Sequence, residues 1–217
     1  MNKILLIVPT RSRPDKSLKF YEAFKENSTI TDLLYALDDD DVEYPRIDGV
    51  LYEVNPRMGM NGTLNFVAKK YAEEYDYIAF MGDDHRIRTK GWDQKLVDTI
   101  SDFANGVAYG NDLLQGINLP TAVLIDSNIV RKLGYMSPPK QRHLYLDNFW
   151  KELGTRLGTL RYSDDVIIEH MHFTNSKSDS DELYQEVNSS EMYNHDQLAY
   201  AEYLSNEFDR DLEELND

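Results

Sequence analysis

Cysteine is missing altogether from the 217 residues, so no disulfide, thiolate nucleophile or zinc–thiolate site can form. That suits a reducing cytoplasm, which is the expected location. Positive charge is also scarce, with 23 Lys and Arg against 39 Asp and Glu and a formal net charge of −16. Nonspecific grip on a nucleic-acid backbone rests on Lys and Arg neutralising phosphates. The shortage therefore disfavours nucleic acid and anionic membrane as partners, although a local basic groove could still exist. Long apolar runs are lacking too. No stretch approaches the ~20 apolar residues of a membrane span. The first apolar run, Ile4 to Val8, is followed at once by Arg11 and Arg13, which fits a buried strand better than a signal peptide.

What is present is the material of one α/β domain. Hydrophobic residues make up 41% of the chain, ordinary for a globular protein with a sizeable core. Ile4–Val8 reads as a central parallel strand covered on both faces. Pro14 opens a helix with Leu18, Tyr21 and Phe24 on one face. Strands follow at Leu33–Leu37 and Val50–Val54, then a helix from about Asn61 with Leu64, Val67, Ala68 and Tyr71 as its buried stripe. A Tyr77–Met81 strand and a helix after Gly91 complete an alternating pattern that calls for a mostly parallel sheet flanked by helices.

Beyond residue 105 short strands are expected at Val107–Tyr109 and Ala122–Ile125, and Ser127 is expected to cap a short helix ending at Gly134. Met136–Arg142, with two prolines, reads as a mobile loop, and Asp147 opens another helix. Val166–His172 alternates so that Val166, Ile168, His170 and His172 share a face. Asn175–Asp181 reads as a polar linker. Residues 176–217 hold 13 acids against Lys177 and Arg210 and read as acidic amphipathic helices. The division expected is a domain over 1–175 and a helical extension over 176–217. That extension could dock a partner or a second copy of the chain, or pack on its own domain.

Four polar clusters follow strands of the first half: Pro9 to Arg13, Asp38 to Asp41, Asn55 to Asn65, and Asp83-Asp84-His85. In a parallel sheet such strand ends share one edge, where open α/β folds bind ligands. Arg11 and Arg13 beside a helix start can hold a diphosphate by charge and backbone donors. Asp38 or Asp39 can accept from a base N–H or from ribose hydroxyls, with the other three acids of that run in a solvated turn. The run is not a calcium loop, because its sixth position is Glu43 where the sharp turn requires Gly. Asp84 and His85 can hold a cation, carboxylate suiting hard divalent ions and imidazole the transition metals.

With Ile7-Val8-Pro9-Thr10-Arg11-Ser12-Arg13-Pro14, the acidic end of the second strand, Gly59, Asn65, Gly82-Asp83-Asp84-His85 and Gly91-Trp92, the chain resembles the GT-A-type, family-2-like glycosyltransferases that use nucleotide-diphospho-sugars, including small bacterial and phage members. The likeness spans roughly residues 3–172. It implies a GT-A-like Rossmann-type α/β fold and a metal-dependent transfer of sugar to an acceptor hydroxyl, with inversion. Pro9, Thr10, Arg11, Arg13, Asp38, Asp39, Asn65 and Asp83 would contact the donor, and Asp84 or His85 an Mn2+ or Mg2+ ion. A late histidine usually joins the metal in such enzymes, for which His170 is the first candidate and His172 the second. Asp147, at a helix start, matches the catalytic base. His143 and His195 have no such support.

The sequence departs from the pattern in its Asp-x-Asp motif, one of whose positions is not Asp, and in Leu64 where many members carry Arg. A donor sugar on a nucleoside diphosphate, uridine foremost, is the expected small-molecule partner. A protein, a modified DNA base, a glycan or a lipid-linked sugar all remain open as acceptor. The rival expectations are a nucleotidyltransferase and a catalytically inactive nucleotide-sugar-binding module.

Overall fold

The computed structural model describes residues 2–172, 177 and 182–217. Eight strands among them form one sheet: β1 (Ile4–Pro9), β2 (Thr31–Asp38), β3 (Leu51–Asn55), β4 (Tyr77–Phe80), β5 (His85–Ile87), β6 (Val107–Asn111), β7 (Val123–Asp126) and β8 (Leu160–His170). Their spatial order is β3-β2-β1-β4-β7-β6-β8-β5. Pairings β1–β2, β2–β3, β1–β4 and β6–β8 are parallel, while β4–β7, β6–β7 and β5–β8 are antiparallel.

The period of two along β1 decides the layering. Leu5 and Ile7 point into one core with Leu64 and Val67 of α2 (Gly59–Tyr71), Ile129 of α4 (Ser127–Leu133) and Phe149 and Trp150 of α5 (Leu146–Leu157). Ile4, Leu6 and Val8 point into the other with Phe20 of α1 (Pro14–Asn27) and Trp92, Leu96 and Ile100 of α3 (Trp92–Ile100). Burying each such side chain contributes roughly 1.5–3 kcal/mol. β1 is thus buried on both faces, as its unbroken apolar run demanded.

The C-terminal helices α6 (Glu182–Val187), α7 (Ser190–Asn206) and α8 (Phe208–Asn216) follow. Tyr203, Phe208 and Leu215 join the first core, with Leu212 packed against it. Tyr203 and Tyr135 both donate their hydroxyls to the buried carboxylate of Asp211. No described helix is long and apolar enough to cross a membrane.

Three local expectations are corrected. Asp126, not Ser127, caps α4: its side chain accepts the amide of Asn128 at 2.8 Å, and Ser127 is the first helical residue. The 136–142 segment, expected to be mobile, is tied down. Asn61 donates to Pro138 O and Gln141 O, Asn65 receives the amides of Met136 and Ser137, and Trp150 donates to Met136 O. His85 lies in a strand, β5, which only tertiary pairing with β8 creates. The expected linker at 175–181 lies outside the described residues apart from Lys177.

β8 must bend to reach both β6 and β5. The pairing slips at Gly110/Asn111, where a Cβ on Gly110 would come within 2.3 Å of the Val166 carbonyl. Only glycine allows that approach. Beyond the bulge β8 runs antiparallel to β5, with His170 opposite His85.

Candidate active site

The carboxyl ends of β1, β2 and β4 lie side by side, because Pro9 pairs with Ala36 and Ile7 with Phe80. They open on a cavity of about 930 Å3, at the upper end of the roughly 300–1,000 Å3 usual for ligand sites. Pro9, Thr10, Arg11 and Arg13 line it from the end of β1, Asp38 from β2, and Asp83, Asp84 and His85 from the turn after β4. His170 and His172 enter from the end of β8, and Asp147 from the first turn of α5.

Two of the expected donor contacts do not reach it. Asn65 spends its amide group on the 136–137 backbone, accepting from Met136 N and Ser137 N and donating to Ser137 O. Asp39 points outward, and here the reading of the acidic run reverses. Asp38 and Asp40 accept from the Arg11 guanidinium at 2.9 and 2.5 Å, and Asp41 accepts from the amide and hydroxyl of Ser12. Asp39 and Asp40 are both exposed, and of the four only the Asp39 carboxylate has no hydrogen-bond partner among the described residues. Arg11, held by Asp40 and Asp38, is pushed further from losing its proton. Ser12 adopts φ 58°, a conformation L residues rarely take, between the two arginines.

The turn after β4 is built around Gly82. A Cβ there would meet Asp84 Oδ1 at 2.7 Å and His85 Nδ1 at 3.3 Å, so any side chain would push into the two candidate ligands. Asp83 is buried, accepts from Thr10 Oγ1 at 2.6 Å and lies 3.4 Å from the Arg13 guanidinium. Burial and the adjacent charge of Asp84 push its carboxyl up to about 6, against the pull of Arg13. Asp84 is under the opposite influence. Burial alone would raise it, but the hydrogen bond with His170 holds it well below the usual carboxylate range.

The two imidazoles stack, with centroids 4.2 Å apart and planes 18° from parallel. His170 Nε2 is 3.4 Å from Asp84 Oδ2, and His85 Nδ1 is 3.4 Å from Asp84 Oδ1. One ligand atom from each of Asp84, His85 and His170 falls within 4.8 Å of the others. Bonds of about 2.1 Å to a common ion would set such atoms roughly 3–3.5 Å apart. His85 Nδ1 accepts the Gly82 amide at 3.1 Å and so carries no proton toward Asp84 Oδ1. That nitrogen has one lone pair, and an ion would reach it only when the Gly82 amide lets go of His85. Its Nε2 is buried with no hydrogen-bond partner among the described residues. Burial, then the charge of His170, lowers the His85 pKa and keeps that ring neutral, as a metal ligand must be. The donor set fits a divalent transition metal. His172, 4.9 Å from the His170 ring, stands beside the set rather than in it.

Asp147 is the second residue of α5, near the positive end of the helix dipole. Burial nonetheless raises its pKa, opposed by the Asn148 amide, which donates to Oδ1 at 2.9 Å. Tyr145 just before it takes φ 66°, and its ring stacks on Tyr200 of α7 at 5.6 Å.

Several lining residues gave no signal in the sequence. Arg142, His143, Tyr145 and Gln115 all border the cavity. His143, set aside for want of a motif, is pushed down to about 4 by burial. Gln115 is placed by the buried Asp112, whose carboxylate accepts the amides of Leu114, Gln115 and Gly116 and the Thr121 hydroxyl. Asp112 also accepts the His170 amide on its main-chain oxygen, tying that loop to the metal-type cluster.

No protein-family model and no curated protein matches the sequence. Solved structures do match in three dimensions. A mannosyltransferase from Pyrobaculum calidifontis, in complex with GDP-Man and Mn2+, superposes with a TM-score of 0.60 at 11% identity, over 99% of this chain and 73% of that one. Residues 1–349 of TarS from S. aureus give 0.55 at 13% identity, over 94% and 75%. A CMP:2-keto-3-deoxy-manno-octonic acid synthetase complexed with CTP gives 0.51 at 12% identity, over 76% and 90%. The fold is GT-A. At such identities the likeness speaks for the fold, and the chemistry has to be argued from the cavity.

Proposed function

We propose that the chain is a metal-dependent glycosyltransferase that moves a sugar from a nucleoside-diphosphate donor, a uridine diphosphate sugar foremost, to an acceptor hydroxyl with inversion. One observation carries the reading. The acidic turn after β4, the imidazole at the end of β8 and the carboxylate opening α5 border a single cavity. Asp84 and His170 would hold the ion, with His85 joining when the Gly82 amide releases its Nδ1. Two imidazoles beside one carboxylate favour Mn2+ over Mg2+, because imidazole suits transition metals and Mg2+ prefers oxygen. A bound divalent ion would neutralise charge on the departing diphosphate.

The protein's own groups supply the rest. Thr10, Asp83 and Arg13 form one hydrogen-bonded wall where the nucleoside would rest, and Asp38 with Arg11 forms the next. Asp147 would accept the acceptor hydroxyl's proton on Oδ2, while Oδ1 is occupied by the Asn148 amide. Burial raises its pKa and so strengthens it as a base.

Nucleotidyltransferases share this fold, as the synthetase above illustrates, but they attack phosphorus and form pyrophosphate. Nucleotide-sugars incubated with the protein and Mn2+ should release a nucleoside diphosphate. Asp147→Asn should cut that release by about 10²–10⁴-fold while leaving donor affinity within a few-fold. Pyrophosphate-linked incorporation of a nucleoside monophosphate would favour the rival. Donor binding without turnover, unaffected by Asp147→Asn, would favour the inactive binding module.

A further inference from the structure

The acidic C-terminal segment meets the candidate site at one buried carboxylate. Asp196 of α7 is fully buried. Its Oδ1 accepts the Arg142 amide at 3.0 Å, and its Oδ2 accepts the amides of His143 and Leu144 at 2.8 and 2.7 Å. His195 Nδ1 sits 2.8 Å from Oδ1. Three consecutive backbone N–H groups thus converge on one side chain more than fifty residues away. The chain they belong to runs straight on into Tyr145, at φ 66°, and then Leu146 and Asp147. The same helix braces Tyr145 through the Tyr200 ring and lines the cavity with Met192 and Tyr193.

The other end of this segment is fixed from α2, where Asn61 N donates to Arg142 O at 3.1 Å. Arg142 is therefore gripped on its carbonyl by the sheet domain and on its amide by the C-terminal helix. A left-handed Tyr at the entrance of a helix is strained and persists only where its surroundings over-determine it. Asp196 and Tyr200 are those surroundings.

We infer that Asp196 is a positioning residue for the reaction: α7 holds the 142–145 backbone so that Asp147 is presented to the acceptor hydroxyl. The C-terminal extension is then a working wall of the active site. This rests on the reading of Asp147 as base. Asp196 acts on the proton-transfer step through the backbone and leaves the donor pocket at the ends of β1, β2 and β4 untouched.

The test is Asp196→Asn in the full chain, with two readouts. The asparagine keeps the shape but turns an NH2 toward donors and loses the charge. Amide hydrogen exchange at 142–148 should accelerate by about tenfold or more, the cost of losing a charge-assisted bond. Exchange in β1–β4 and in α8 should not change. In Mn2+-dependent release of nucleoside diphosphate from the active donor of a UDP-, GDP- and dTDP-sugar panel, kcat should fall about tenfold or more with donor KM within about twofold. Tyr200→Leu, which removes the ring from Tyr145 and keeps the carboxylate, should move both readouts the same way by less, and it carries the test should Asp196→Asn not fold.

Unchanged exchange at 142–148, acceleration spread over the whole molecule, or unchanged kcat would each overturn the inference. No nucleotide release by the unsubstituted protein from any donor would instead overturn the functional reading, and the exchange result would still decide whether Asp196 fixes this backbone.

Discussion

Buried carboxylates in this protein are used in two ways, and Asp93 shows the structural one. It is fully buried on α3 and accepts from Thr29 N at 2.7 Å, Ile30 N at 2.8 Å and the hydroxyls of Thr29 and Thr31 at 2.8 and 3.0 Å. Burial works to raise its pKa, but these donors prevail and leave it below 3.8. A depressed folded value means the stabilisation is fully present above the unfolded value and is lost as pH falls through the folded one. Asp93→Ala should cost about 2–3 kcal/mol at neutral pH, the worth of charge-assisted bonds. That deficit should hold from pH 7 down to about 5 and close below about 4, because the unsubstituted protein then loses its own contribution. Urea midpoints across the series measure it. Buried Asp83 and half-buried Asp147 belong to the other kind: their few donors do not offset desolvation, and their pKa values rise. Such perturbed acids in a cavity are the usual mark of chemistry.

At the scale of elements, the 136–145 segment is the most constrained irregular stretch near the cavity. Asn65, expected from the resemblance to touch the donor, instead satisfies three main-chain groups of this segment. Asn65→Ala should therefore destabilise the fold by about 1–3 kcal/mol through unpaired amides. Nucleotide affinity should stay within a few-fold, and thermal melts with and without UDP separate the two effects. Such roles are not legible in sequence, because a polar side chain on a helix can serve ligand or backbone equally well.

The strands were easier to see. Ile4–Val8 is apolar at every position because both faces are covered, and that needs no partner to be visible. β5 had no such pattern: three residues become a strand only because the Gly110 bulge swings β8 beside them. The acidic run misled for a related reason. Three of its carboxylates are engaged by Arg11 and Ser12, a pairing that depends on the left-handed turn at Ser12.

At the scale of the whole molecule, the candidate site is a product of topology. Parallel pairing of β1 with β2 and β4 aligns their carboxyl ends, and antiparallel pairing of β8 with β5 returns a distant histidine to the same rim. Asp84 and His170 are thus joined by the sheet and not by local sequence. The residue types at Asp83 to His85, His170 and Asp147 could be picked out from motif order along the chain. Asp196 and Asp112 could not, because their significance lies in which amides they meet.

The most direct measurement is a calorimetric titration of the protein with Mn2+ alone, repeated for Asp84→Asn and His170→Ala. One Mn2+ ion should bind the unsubstituted chain, more tightly than Mg2+, with each substitution weakening it by at least about tenfold. A chain that binds no Mn2+, or variants that bind it as well as the unsubstituted protein, would contradict the claim that these two residues share one ion.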